Sequence, residues 1–227
     1  MRQPQDYTAI NPVFIESAVK QNSGLKSDFI ESNVHFILQL ATAYLVNETP
    51  ALTTDKLTEI LLKDLIHDTL KTNFVGDDRL EPRSAKEALN HSPQLWTILS
   101  LDKHLPVQKI AFALGQFFNL STTTALRIIW SSWARSVYRD HLDRFVSFAE
   151  NIMNIAHCDN MEEMALKGIH AVEKFCHSSH LPMTFEELDI FPDEADLEEL
   201  ITNILRQESL IPETCRTTIR LILTSSN

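Results

Sequence analysis

Cys176, His177 and His180 fall within five positions of one another, as Cys-His-Ser-Ser-His. Thiolate and imidazole are the ligands that Zn²⁺ and Fe²⁺ favour, so the cluster could hold a metal and mark an enzyme. Its spacing argues otherwise. Cys-His-x-x-His matches no familiar zinc arrangement, and no second ligand pair lies nearby in sequence. Cys176 and His177 fall in the last turn of a predicted helix, where a histidine suits the negative end of the dipole. His180 suits a left-handed residue that stops the helix, because His is among the non-glycine residues enriched at positive φ. The cluster is read as a helix end.

Other residue types invite the same question. Arg127 stands inside the apolar run Ala-Leu-Arg-Ile-Ile-Trp (125–130), and a lone charge there requires a partner such as a carboxylate. Trp130 and Trp133, with Phe117 and Phe118, have the helical spacing of core aromatics, which bury large areas. Ser121 to Thr124 offer a helix cap and spare hydroxyls, and capping is the favoured reading. No Ser-His-Asp or Cys-His arrangement is justified by spacing.

The elements that must position these groups are helical. "SDFIESNVHFILQLATAYLV" carries apolar residues at 29, 30, 34, 37, 38, 41, 44 and 45, the spacing of a buried helix. "TTDKLTEILLKDLIHDTLK" repeats it, with Thr53 or Thr54 placed to cap. Ser84-x-x-Glu87, Asn160-x-x-Glu163 and Thr184-x-x-Glu187 are capping boxes, and Ser92-Pro93 pairs a cap with a first-turn proline. Further helices are predicted over 106–118, 122–134, 139–155, 161–177, 194–207 and 212–224. Pro12 makes "YTAINPVF" (7–14) the one extended piece. The expected organisation is an N-terminal arm over 1–25 and a single all-α, bundle-like domain over 26–227.

Composition bounds the function. The net charge is −11, from 20 basic and 31 acidic residues, with no basic stripe to neutralise nucleic-acid phosphates. A mean hydropathy of −0.12 and the lack of any long apolar stretch predict no membrane span. "MRQPQDYTAINPVF" does not read as a signal peptide. Three widely spaced cysteines suit reduced thiols in the cytoplasm. Glycines number four, where average usage of roughly 7% would give about sixteen. Loops that cradle phosphate need glycine for close backbone approach, and neither GxGxxG nor GxxxxGK[ST] occurs. A self-sufficient nucleotide-binding enzyme of the usual types is not expected.

Three stretches resemble the iron-containing (group III) alcohol dehydrogenase family, in its butanol-dehydrogenase-like branch. "AINPVF" (9–14) is similar to the segment that leaves the family's nucleotide-binding domain. "LDRFVSFAENIMNI" (142–155) is similar to its helix ending in Tyr/Phe-Ala-Glu-x-(apolar)-x-Asn-Ile. "GIHAVEKFCHSSHLPMTFEELDI" (168–190) is similar to its late helix, the Gly-(apolar)-Pro turn and the short helix beyond, with His180 in the place of the glycine. Their order and approximate spacing are kept. The resemblance implies the family's C-terminal, dehydroquinate-synthase-like helical domain, with the nucleotide-binding domain absent from this chain.

The resemblance also implies a metal, Fe²⁺ or Zn²⁺, held in the family by one Asp and three His. Carried over by position, the Asp-x-x-x-His pair falls on His35 and Gln39. The two later histidines fall on Gln108 and Thr122, the latter closing the turn Asn119-Leu120-Ser121-Thr122. An imidazole, two amides and a hydroxyl are a poor set for either ion. An alternative register, slipped by one turn, uses Glu31 and His35 as a carboxylate–imidazole pair at i, i+4, with His104 near the third position.

The expected function is thus a stand-alone, catalytically degenerate relative that acts through protein association or small-molecule binding. A second expectation is half of an NAD(P)- and metal-dependent alcohol/aldehyde oxidoreductase whose nucleotide domain is a separate chain. A third is an unrelated helical interaction module. Homodimerisation is implied by the resemblance alone.

Overall fold

The computed structural model describes residues 12–47, 52–74, 106–207 and 216–226. Among these every regular element is helical: α1 (Pro12–Leu45), α2 (Leu52–Phe74), α3 (Pro106–Phe118), α4 (Thr122–Val137), α5 (Leu142–Asn151), α6 (Met161–Ser178), a 3₁₀ turn (Glu186–Leu188), α7 (Glu194–Gln207) and α8 (Arg216–Thr224). The all-α expectation is met. None of the described helices is long and apolar enough to cross a membrane. The boxes at Ser84 and Ser92 lie outside the described residues.

The helix at Pro12 corrects the extended reading of that proline. The arm expected over 1–25 is, from Pro12 onward, the first turns of α1. Proline is tolerated at the first helical position, because the N–H it lacks would have no intrahelical partner there. Pro12 therefore opens a helix where it was read as blocking one.

Helix α4 is the centre of the assembly, packing against α1, α3, α6 and α8. Residues Ala125 to Trp130 are all buried, so its middle is covered on every side. Val34, Ile37, Leu38 and Ala41 of α1 meet this surface in one continuous core with Leu126, Ile129 and Trp130. Trp130 donates its indole N–H to Thr42 Oγ1 (3.0 Å), and that hydroxyl donates to the Leu38 carbonyl (2.7 Å). The indole body is dry and its polar tip is satisfied, as burial of tryptophan demands.

Caps and turns obey local chemistry. Ser121 accepts the Thr124 N–H (3.0 Å), the cap expected there, and Asn160 accepts the Glu163 N–H (3.1 Å), as its box predicts. Thr184 accepts the Glu187 N–H (3.2 Å), while the Glu187 carboxylate returns to the Met183 N–H (2.6 Å). Asn119, Asn154, His180 and Asp189 hold φ between 53° and 57°. No described glycine has positive φ, so side chains tolerant of the left-handed region do the work usually left to glycine.

Gly168 serves a different need. A Cβ there would lie 2.9 Å from Ala149 Cβ and 3.3 Å from Ala149 Cα, where α5 and α6 meet closely. Gly168→Val is expected to force the pair apart and cost about 2 kcal/mol. That lowers the melting temperature by about 5 °C for a chain of this size. Thermal denaturation followed by circular dichroism tests it, and an unchanged midpoint would contradict the contact.

Beside this pair, a polar clamp ties α1, α2 and α5 together. Arg144 donates from Nε (2.9 Å) and Nη2 (2.7 Å) to the Tyr44 carbonyl, one of the last acceptors of α1. The same guanidinium donates to both Asp55 oxygens (2.6 and 3.1 Å) and lies 4.0 Å from the Tyr44 ring centroid. The Tyr44 phenol donates to buried Glu59 (3.0 Å), which also accepts from Lys56 (2.7 Å) and Asn151 (3.1 Å). Burial, then the Glu59 charge, push the phenol's pKa well up, so it stays a donor.

Candidate functional site

Helices α1, α3 and α4 enclose a cavity of about 380 Å³. Its wall contains His35 and Gln39 from α1, Gln108 from α3 and Thr122 from α4. The four positions of the first register, scattered through the sequence, thus share one pocket. Helical geometry explains how. His35 and Gln39 are one turn apart on a single face of α1. Gln108 sits in the first turn of α3, and Thr122 is the first residue of α4 behind its Ser121 cap. Lys109, Ala111, Phe112 and Leu126 complete the wall.

The second register fares differently. His104 lies outside the described residues. The Glu31 carboxylate lies 3.6 Å from Arg127 Nη1 and 3.4 Å from the Thr124 hydroxyl, which donates to it. Glu31 does not line the pocket. The carboxylate that spacing alone pairs with His35 is engaged by α4.

Arg127 is the residue whose importance the sequence only hinted at. It is 2% exposed. Its Nε donates to the Pro182 carbonyl (2.7 Å), so the guanidinium bridges α4 to the turn after α6. The Glu31 contact is an ion pair without a hydrogen bond, since Nη1 has no bonded acceptor among the described residues. Burial works against the charge of Arg127 and Glu31 works for it. A guanidinium stays protonated across the physiological range. The carboxylate expected to accompany this lone cation is therefore present on α1.

Its effect reaches the pocket. Burial first, and the positive charge of Arg127 second, lower the pKa of His35, with Glu31 acting in the opposite sense. His35 is therefore neutral near pH 7, and its Nδ1 is buried with no hydrogen-bond partner among the described residues.

The cysteine–histidine cluster is a helix end, as its spacing predicts. Cys176 is fully buried, and burial pushes its thiol up to about 12. His177 points outward, 3.7 Å from Glu187, and His180 has the left-handed φ of 56°. Among the described residues no group of three or more His, Cys, Asp or Glu could hold a metal ion. The aromatic candidates belong to the core: Trp130 and Trp133 are buried, and Phe117 and Phe118 pack on the core's edge.

The fold is that of the all-α half of alcohol dehydrogenases of known structure. The aldehyde reductase YqhD from E. coli superposes with a TM-score of 0.71 at 14% identity, over 89% of this chain and 53% of its own. NADH-dependent butanol dehydrogenase A from Thermotoga maritima gives 0.71 at 18% identity, over 87% and 51%. An archaeal halo-thermophilic Red Sea brine pool alcohol dehydrogenase gives 0.65 at 14% identity, over 89% and 51%. The chain spans about half the length of these proteins, and at such identities the likeness is one of fold. No protein-family model and no curated protein matches the sequence.

Proposed function

We propose that this domain is a catalytically degenerate form of the metal-binding helical domain of iron-containing alcohol dehydrogenases, acting by association or by holding a small molecule. One observation carries the reading. The pocket where the four family positions meet offers one imidazole, two neutral amides and a hydroxyl, and a fixed guanidinium charge acts on that imidazole. Fe²⁺ and Zn²⁺ require several anionic or imidazole ligands, and this set supplies one. A nearby permanent cation opposes a divalent ion further. The residues present do not fit the metal.

Metal content tests the proposal. Purified protein incubated anaerobically with Fe²⁺ or Zn²⁺ and then desalted is expected to retain far less than one equivalent by mass spectrometry. Near-stoichiometric metal that disappears in His35→Ala would overturn the reading. It would favour the other one, a metal-dependent oxidoreductase half with its nucleotide domain on a separate chain, to which the half-length structural match lends support. Association with a second copy of the chain is part of the proposal, and a monomer mass by light scattering would remove it.

A further inference from the structure

We propose that the pocket between α1, α3 and α4 binds a small uncharged carboxamide, held by side chains that can each donate and accept hydrogen bonds. The inference rests on the reading above, since a pocket that retained Fe²⁺ or Zn²⁺ would be a metal site.

Size and lining set the class of ligand. About 380 Å³ is within the range of small-molecule sites. The polar wall consists of groups that work both ways. Gln39 and Gln108 each offer a carbonyl oxygen and an NH₂, the Thr122 hydroxyl donates or accepts, and neutral His35 has one ring nitrogen of each kind. His35 Nδ1 is buried with no hydrogen-bond partner among the described residues. Buried polar atoms nearly always have one, and a ligand would supply it. A carboxamide carries an NH₂ and a carbonyl in one plane, so it can donate to one wall group while accepting from another. An alcohol, with a single O–H, meets that pattern only in part. Ala111, Phe112 and Leu126 supply an apolar wall for a short hydrocarbon tail. Phe112 is 52% exposed, so a covering ligand would remove apolar surface from water.

Charge disfavours the ionic analogues. An ion drawn out of water needs an opposite charge beside it. Among the described residues the wall holds no carboxylate to receive an ammonium group. Arg127 adds to that cost, because its positive charge is felt at His35. A carboxylate ligand fares no better. Lys109, the charged member of the wall, is already engaged within the protein. Arg127 is outside the wall and has the Glu31 carboxylate and the Pro182 carbonyl as its partners. At His35 the charges of Arg127 and Glu31 act in opposite senses. A neutral ligand needs no counter-charge.

The test uses the full chain with butyramide, its analogues butyrate, butylammonium and 1-butanol, and Zn²⁺. Molecules this small bind weakly, so affinities are read from saturable shifts of the wall residues' backbone amide signals in nitrogen-15 NMR. Butyramide is expected to bind at least ~10-fold more tightly than butyrate or butylammonium, a discrimination of about 1.4 kcal/mol. It is expected to exceed 1-butanol by at least ~3-fold, for the hydrogen bonds that the alcohol lacks. The double variant Gln39→Leu, Gln108→Leu is expected to lose at least ~10-fold in butyramide affinity, with its melting temperature kept as evidence of an intact fold. Equal or tighter binding of butyrate or butylammonium would overturn the uncharged class, and equal or tighter binding of 1-butanol would overturn the two-way pairing. Absence of butyramide binding, or full affinity in the folded double variant, would overturn the inference alone. Retained stoichiometric Zn²⁺ would overturn it together with the reading on which it rests.

Discussion

Trp130→Ala is expected to destabilise the protein by about 4 kcal/mol, lowering the melting temperature by about 10 °C. Trp130 has no exposed surface and sits at the middle of the most buried helix. Truncation leaves a void on the order of a whole indole, and large-to-small changes in cores cost most where the surroundings cannot collapse. Here the neighbours are α1 on one side and Trp133 on the other, 6.2 Å between ring centroids, so collapse would require helices to move. The hydroxyl of Thr42 also loses its donor, although it still donates to the Leu38 carbonyl. Trp130→Phe keeps much of the volume and loses the indole N–H, so it should cost roughly half as much. Denaturant titration followed by circular dichroism gives both values. A loss below about 1 kcal/mol for the alanine variant would mean that Trp130 is not a core residue.

Arg144→Met is expected to cost about 3 kcal/mol. The methionine replaces the aliphatic stem and part of the contact with the Tyr44 ring, so the loss reports mainly on the polar head. Asp55 is left with a half-shielded charge, its side chain being 16% exposed. The Tyr44 carbonyl loses two donors at the end of α1. Both partners of the ion pair are mostly covered, so added salt should recover little of the difference. A double-mutant cycle with Asp55→Asn isolates the pair, and a coupling of about 1–3 kcal/mol is expected. Coupling near zero would show that Arg144 acts through the Tyr44 carbonyl and ring instead.

The parts of this fold that could be read from the sequence are those governed by near neighbours. The caps Ser121 and Asn160 obey side-chain-to-backbone bonds spanning three residues. His180 obeys a backbone preference of a single residue. Pro12 was misread because the same ring that breaks a helix interior is well suited to a helix start, and local pattern does not separate the two. The pocket was legible only through resemblance. Position by position, the family's ligand set leads to His35, Gln39, Gln108 and Thr122, which share one cavity. Spacing alone gave no choice between registers, because Glu31 and Gln39 each stand one turn from His35. In the structure Arg127 from another helix engages Glu31, while His35 and Gln39 line the cavity. Such long-range pairing leaves no trace in local periodicity, and a charge in an apolar run was its sole sign.

The Arg127–Glu31 pair also constrains how this chain can change. Placing a carboxylate at Gln39, or an imidazole at Gln108 or Thr122, would add one ligand while the guanidinium still disfavours the ion to be bound. A carboxylate placed near Arg127 would find an existing cation before it found a dissolved one. Losing Arg127 first instead removes a buried side chain and the donor to the Pro182 carbonyl, and lowers stability before any ligand is gained. Each single step toward a metal site is unfavourable although the combined change need not be. The Arg127–Glu31 pair, one buried cation and one half-buried carboxylate, therefore acts as a latch: a metal could be accommodated here only if the cation and the ligands changed together.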